Sequence, residues 1–219
     1  MKQVNVRLVV VSVREQRLET LLLRLPGSVW ALPGAPVGDG VTLEAAASRA
    51  LEAQTGVRGL RLEQLYTFDR DAAGVSVAYL ALIAAERHPL APGPEVVEVR
   101  WFPLSDLPAL DASDQEILDY GRARVRAKAA YAPIALDLLP DAFTLGELQE
   151  AYEAVLDRPL DTRNFRRDVL ASGVVEPLGR VRSEGPGRPA RLYRSAGGDF
   201  QVLAPERRIA RAIAGPEAG

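Results

Sequence analysis

Residues 32–57 read LPGAPVGDGVTLEAAASRALEAQTGV, a loop punctuated by Pro and Gly that runs into one amphipathic helix. Thr42 stands at the N-cap, where a hydroxyl accepts from a first-turn amide, and Gly56 follows Thr55, where a left-handed residue ends a helix. Leu43, Ala47, Ala50, Leu51 and Gln54 recur at helical spacing, which predicts a helix over 43–55. Outward from it, Val4 to Val13 and Arg17 to Leu25 read as strands around a polar turn at Glu15 and Gln16, and Val29 to Leu32 is extended. Leu60 to Phe68, Val75 to Ala84 and Val96 to Phe102 complete a strand-rich α/β domain.

The stretch resembles a Nudix box, the loop and helix that in that fold hold Mg²⁺ against a nucleoside diphosphate. On that pattern the first Gly is Ala35 and the first Glu is Val41, while Arg49, Leu51, Gly56 and Val57 match. The remaining Glu positions hold Ala50, Ala53 and Gln54. These fall on one helix face, where carboxylates would bind a hard cation through oxygen; two methyl groups and an amide cannot. Glu52 lies about 200° round the helix from residue 50, and Glu44 belongs to the first turn, where the helix dipole favours an acid without catalysis. Both read as solvated charges, so no metal site and no resident cofactor is expected.

Composition narrows the chemistry further. The chain has 219 residues, a net charge of −2 and no cysteine, so disulfides, thiol catalysis and thiolate zinc sites are excluded. His88 is the one histidine and lies beside Pro89, which rules out a serine or cysteine triad. The start, MKQVNVRLVVVSV, is broken by Asn5 and Arg7 and reads as a strand rather than a leader. No run approaches the ~20 apolar residues of a membrane helix. The expectation is a soluble, cytoplasmic protein with no membrane partner.

The second half has a different rhythm. Ser113 with Glu116 predicts a capping box for a helix to about Lys128, arginine-rich at its far end and read as a stiff connector. Ala130 to Leu139 is a short helix interrupted by Pro133, and Thr144 with Glu147 caps a helix through Leu156. After a turn at 157–160, Asp161 caps a helix to about Ala171, stopped by Gly173. Val174 to Leu178 and Ala190 to Tyr193 are strands joined by GRVRSEGPGRP. Three helices and a hairpin in this order predict a winged helix-turn-helix. The domains are therefore drawn as 1–126, 127–200 and a tail, 201–219, in which PERRIARAIA reads as a basic amphipathic turn or helix.

From Arg158 to Arg194 there are nine arginines against four acids, a local excess of five positive charges in a chain that is negative overall. That asymmetry supplies the salt-dependent affinity that phosphate backbones demand. Phe165 and Val169 lie one turn apart and face a core, which sends Arg163 and Arg167 outward with Asn164 and Arg166 flanking them. Arg suits guanine O6/N7 and Asn suits adenine N6/N7. With Thr162, Arg180, Arg182 and Arg188 they form the expected contact set for double-stranded DNA. A solvated charged face is the alternative meaning of the same residues.

Together LPG, EQLYTFDR, SVAYLAL, FTLGELQEAYEAVL, LDTRNFRRDVLASGVVE and GRPARLYR resemble the Nudix-related transcriptional regulators, the NrtR family. The resemblance implies an α/β/α Nudix-like sandwich with a mixed sheet, followed by a winged helix-turn-helix domain. It also implies a homodimeric repressor of a palindromic operator that responds to ADP-ribose or a related NAD- or sugar-derived metabolite. Such a ligand needs cations for its phosphates and a flat surface for adenine. Arg24, Arg49 and Arg70 are candidates for the first, and Trp30, Tyr66 and Phe68 for the second; core packing is the competing job of those aromatics. Two alternatives stay open: a weak Nudix hydrolase with a DNA-binding appendage, and an adaptor whose first domain only dimerises.

Overall fold

The computed structural model describes residues 2–69, 74–183 and 189–197. The chain divides into two compact units, Met1–Arg14 with Leu18–Arg124, and Glu15–Arg17 with Val125–Gly219.

The first unit is built on β1 (Val4–Arg14), β2 (Arg17–Arg24), β3 (Trp30–Ala31), β4 (Gly34–Pro36), β5 (Glu63–Asp69), β6 (Val75–Leu82) and β7 (Glu98–Pro103). They form one seven-stranded sheet along the path β3-β2-β1-β6-β5, with β4 paired to β1 and β7 to β2. The β1–β6 ladder is parallel, whereas β4, β3, β7 and β5 pair antiparallel, so the sheet is mixed. Val6, Leu8, Val9, Val10 and Val11 are all fully buried, which is why β1 reads as an unbroken apolar run: both faces of the strand are covered.

Helix α1 (Leu43–Thr55) lays Ala46, Ala47 and Leu51 against Val6, Leu8, Val10, Leu21, Val77 and Trp101. Helix α2 (Ala112–Ala129) covers the other face, because Val9 alternates with Leu8 and Val10 and meets α2 at Gly121. A Cβ at Gly121 would stand 2.9 Å from a Val9 methyl, so glycine sets the depth to which α2 settles. The result is the expected α/β/α sandwich.

The second unit has a 3₁₀ turn at Ile134–Leu138, then α3 (Leu145–Leu156), α4 (Thr162–Ser172), β8 (Val175–Arg182) and β9 (Ala190–Ser195). Phe143 adds a third short strand by exchanging both backbone hydrogen bonds with Tyr193. Phe143, Leu148, Tyr152, Val155, Phe165 and Val169 fill the small core, with the Tyr152 and Phe165 rings edge to face at 5.6 Å. This is a winged helix-turn-helix.

Local signals placed most boundaries, and others differ by more than a residue. Asp111, not Ser113, opens α2: its Oδ1 accepts the amides of Ser113 and Asp114 at 2.8 Å each. Ala112 is already helical, and a carboxylate at the cap also meets the helix dipole. The short helix expected over 130–139 is a 3₁₀ turn after Pro133, since the residue before a proline is driven from helical geometry. Strand β5 starts at Glu63 and β7 at Glu98, later than apolar content suggested. Strand β8 runs on to Arg182 through a register shift between Pro177 and Val181, where Gly179 takes φ +67°. The tail expected over 201–219 lies outside the described residues.

The Leu90–Val96 loop seals the C-terminus of α1, whose last carbonyls would otherwise lack partners. Ala91 N donates to Thr55 O at 2.8 Å and Gly93 N to Gln54 O at 3.2 Å. A Cβ on Gly93 would lie 2.0 Å from the Ala53 carbonyl oxygen. Gly93→Ala is therefore expected to destabilise the first unit by roughly 1–3 kcal/mol in urea unfolding; unchanged stability would show that the loop is not seated there.

Candidate ligand-sensing and nucleic-acid interfaces

The box helix is held as its sequence predicts, with Thr42 Oγ1 accepting from Ala45 N at 3.3 Å and Gly56 at φ +76° closing the far end. Of the three positions where a Nudix box carries Glu, Ala50 is buried, Ala53 is exposed and Gln54 is half-buried. The Gln54 amide pairs both ways with Gly34: Nε2 donates to Gly34 O, and Oε1 accepts from Gly34 N, both at 2.9 Å. A carboxylate could accept from that amide but could not donate to that carbonyl. These residues do not fit a hard cation, and the described residues contain no group of three His, Asp or Glu placed to hold one.

The same segment is tied to α2. Asp114 is nearly sealed from solvent, and its Oδ2 accepts from Leu32 N at 2.7 Å while Oδ1 accepts from Arg7 Nε at 3.2 Å. Burial pushes its carboxyl up from the ordinary range, and the Leu32 amide and the Arg7 guanidinium oppose that shift. Pro33 O accepts from Leu8 N at 2.8 Å, so Leu32 to Gly34 is fastened to α2, β1 and α1 in turn.

The expected ligand residues are not brought together. Arg24 donates to Glu98 at 3.2 Å and lies 5.6 Å from the Trp30 ring, which meets Phe102 edge to face at 4.6 Å. Arg100 stands over the Phe102 ring, 5.0 Å from its centroid. Phe102 pairs with Thr20 and so faces the α2 side, while its neighbour Trp101 faces α1. Tyr66 and Phe68 sit on β5, at the opposite end of the strand path, against Tyr120 of α2. Phe68 is buried core, so its role is packing; Tyr66 is 52% exposed. Arg49 is exposed on α1, on the other side of the sheet, and Arg70 lies outside the described residues.

In the second unit, Phe165 and Val169 are fully buried, and Thr162, Arg163, Asn164, Arg166 and Arg167 are all exposed. Asp161 Oδ1 caps the helix by accepting from Asn164 N at 2.8 Å. Arg167 Nε donates to neighbouring Asp168 at 2.7 Å, which raises the guanidinium pKa further. The angle between α3 and α4 is set by a polar network that sequence reasoning missed. Gln149 Nε2 donates to Glu153, to Leu160 O and to Thr162 Oγ1 at 3.0, 3.2 and 3.1 Å, and Glu153 also accepts from Leu160 N at 2.8 Å.

Arg180 is exposed on β8, as expected of a wing, whereas Arg182, at the end of the same strand, donates to Glu147 Oε1. Glu147 meanwhile completes the α3 capping box by accepting from Thr144 N at 2.7 Å. Arg182 is thus a brace between wing and helix, and Arg188 lies outside the described residues.

Known proteins share this arrangement. The family model for the NUDIX domain matches residues 1–120, and that for the NrtR DNA-binding winged helix domain matches residues 135–195. The ADPR responsive transcriptional repressor NtrR of Acinetobacter baylyi is 33% identical over 214 residues, covering 92% of this chain and 85% of its own. The chain belongs to the NrtR family of Nudix-related transcriptional regulators. Shewanella oneidensis NrtR complexed with a 27mer DNA superposes with a TM-score of 0.77 at 31% identity, over 88% of this chain and 93% of that one. The NUDIX domain of Shewanella oneidensis NrtR complexed with ADP ribose gives 0.52 at 27% identity, over 57% and 89%.

Within this NrtR chain, Asp114 had one visible sequence signal. It occupies the spacing of Ile117, Leu118 and Gly121, the stripe of α2 that packs on the sheet, where a solitary acid must find partners. No helix among the described residues is long and apolar enough to cross a membrane. Arg182→Ala is expected to cost about 1 kcal/mol of stability after solvent screening of a part-exposed pair, and Arg180→Ala nothing. Equal shifts of Tm for the two variants would show that Glu147 does not hold Arg182.

Proposed function

We propose that the chain is a ligand-responsive repressor. Residues 127–200 read a palindromic operator as a homodimer, and residues 1–126 sense ADP-ribose or a related NAD- or sugar-derived metabolite without hydrolysing it. The observation that carries the reading is the α4 surface, where Arg163, Asn164, Arg166 and Arg167 project from a helix anchored by Phe165 and Val169. The winged helix of a relative solved with DNA, and a relative described as a repressor responsive to ADPR, support it. Such a regulator works in the cytoplasm.

Two recognition helices must stand about 34 Å apart to enter successive major grooves, so a small rigid-body change suffices for release. Effector and operator then weaken each other by the same factor. On the box helix, Ala50, Ala53 and a Gln54 amide turned to Gly34 offer no carboxylate for metal-assisted cleavage.

Arg163→Ala and Arg166→Ala are each expected to cost about 1–3 kcal/mol of specific binding in a gel shift, while Arg61→Ala, on the first unit, leaves it unchanged. Equal losses from all three would mean diffuse electrostatics and no recognition helix. Incubation of ADP-ribose with the protein and Mg²⁺ or Mn²⁺ is expected to release no AMP, and steady turnover would return the chain to the hydrolases.

A further inference from the structure

Three helices and strands meet at a segment of three residues. Leu32 N is held by Asp114 of α2, Pro33 O by Leu8 of β1, and both polar groups of Gly34 by Gln54 of α1. Gly34 has no slack, since a Cβ there would lie 2.2 Å from Val6 O and 2.8 Å from Arg7 Nη1. Arg7 in turn is paired to Asp114, so the guanidinium lies between the glycine and the buried acid. Through the groups named here, each residue of the segment is bonded to a different element of the first unit.

We infer that Gln54 and Asp114 are positioning residues that make Leu32–Gly34 a rigid link between α1 and α2. A displacement of α1 or its loop then moves Leu32, and through Asp114 the first turn of α2. Helix α2 continues unbroken from Ala112 to Ala129, past the division between the units at Arg124 and Val125. The link is therefore the route by which a bound ligand on the first unit changes the helix that enters the second. That last step rests on the proposed ligand-responsive reading; the link itself does not.

The test separates the two, using the full-length protein throughout. Hydrogen exchange is read at the Leu32 and Gly34 amides in Gln54→Ala, Asp114→Ala and the isosteric Asp114→Asn. Gln54→Ala is expected to speed exchange at Leu32, which it does not touch, by about tenfold or more, and Asp114→Ala to do the same at Gly34. Asp114→Asn keeps an oxygen for the Leu32 amide and is expected to restore near-normal exchange at Gly34, which loss of packing at a damaged core would not predict. Acceleration confined to the amide each variant touches would overturn the link. If Asp114→Ala fails to fold, Gln54→Ala still decides, because Gln54 is half-buried at the end of α1.

In the second arm, duplex DNA selected by the wild-type protein is titrated with and without saturating ADP-ribose. Wild type is expected to lose DNA affinity by about tenfold or more. Gln54→Ala is expected to bind DNA alone and ADP-ribose alone within about threefold of wild type, yet to lose less than about threefold of DNA affinity on ADP-ribose addition. Full antagonism retained in Gln54→Ala would overturn the inference. Absence of antagonism in wild type would instead overturn the ligand-responsive reading, with the exchange measurements still deciding the link.

Discussion

At Gly34 the chain backbone is pressed so closely on β1 that an added Cβ would stand 2.2 Å from the carbonyl oxygen of Val6. Such an approach can persist only if the peptide groups on both sides are satisfied, because a buried amide without a partner costs as much as several packed methylenes. The Gln54 side chain meets this condition with one group that both donates and accepts. Asp114 meets it for Leu32, at the mouth of the same segment. The two faces of the sandwich are consequently joined through the Leu32–Gly34 segment beside β1 as well as through the core.

That constraint changes how the altered box is understood. Loss of carboxylates at three positions could have left a vacant face, yet Ala50 is packed and Gln54 has acquired a structural contact. A glutamate returned to position 54 would set a negative charge against the Gly34 carbonyl oxygen. On the proposed reading, the region exchanged metal chemistry for mechanical definition, which suits a domain that signals occupancy through its own shape. The same physics limits the aromatic candidates. Trp30 and Phe102 are already faced by Arg24 and Arg100, and Phe68 supports Tyr66 and Tyr120 from within the core.

What could be read from the sequence follows from the range of the interactions involved. Thr42, Gly56, Thr144 with Glu147, Asp161 and Gly173 act on backbone within a few residues, and each stands where its pattern placed it. The outward face of α4 was legible for the same reason, from two buried positions one turn apart. Asp114 bonds Leu32 across 82 positions and Arg182 bonds Glu147 across 35, so neither partner could be named before the chain was folded. Strand β8 outran its expected end because a bulge at Gly179 breaks the alternation on which strand reading depends. The separation of Arg24 and Tyr66 towards opposite ends of the strand path, and of Arg49 across the sheet on α1, has a similar cause: cations and aromatics suited to a ligand carry no sequence signal for lying side by side.

Charge in the second unit shows why composition and placement must be kept apart. Its excess of arginine was visible at once, but part of it is spent on the domain itself. Arg182 braces Glu147, Arg194 takes Glu176 and Arg167 takes Asp168. Arg163, Arg166 and Arg180 are exposed and have no carboxylate partner among the described residues. Two of these lie in the first half of α4 and the third on β8. An unpaired guanidinium on a surface is hydrated and carries its full charge, so phosphates meet it without first displacing an acid. On the proposed reading, the field offered to nucleic acid is narrower than the count of arginines suggests, because three of those arginines are held by acids of the domain itself. On that reading such a field orients the helix on a duplex, where a uniform basic surface would only adhere to it.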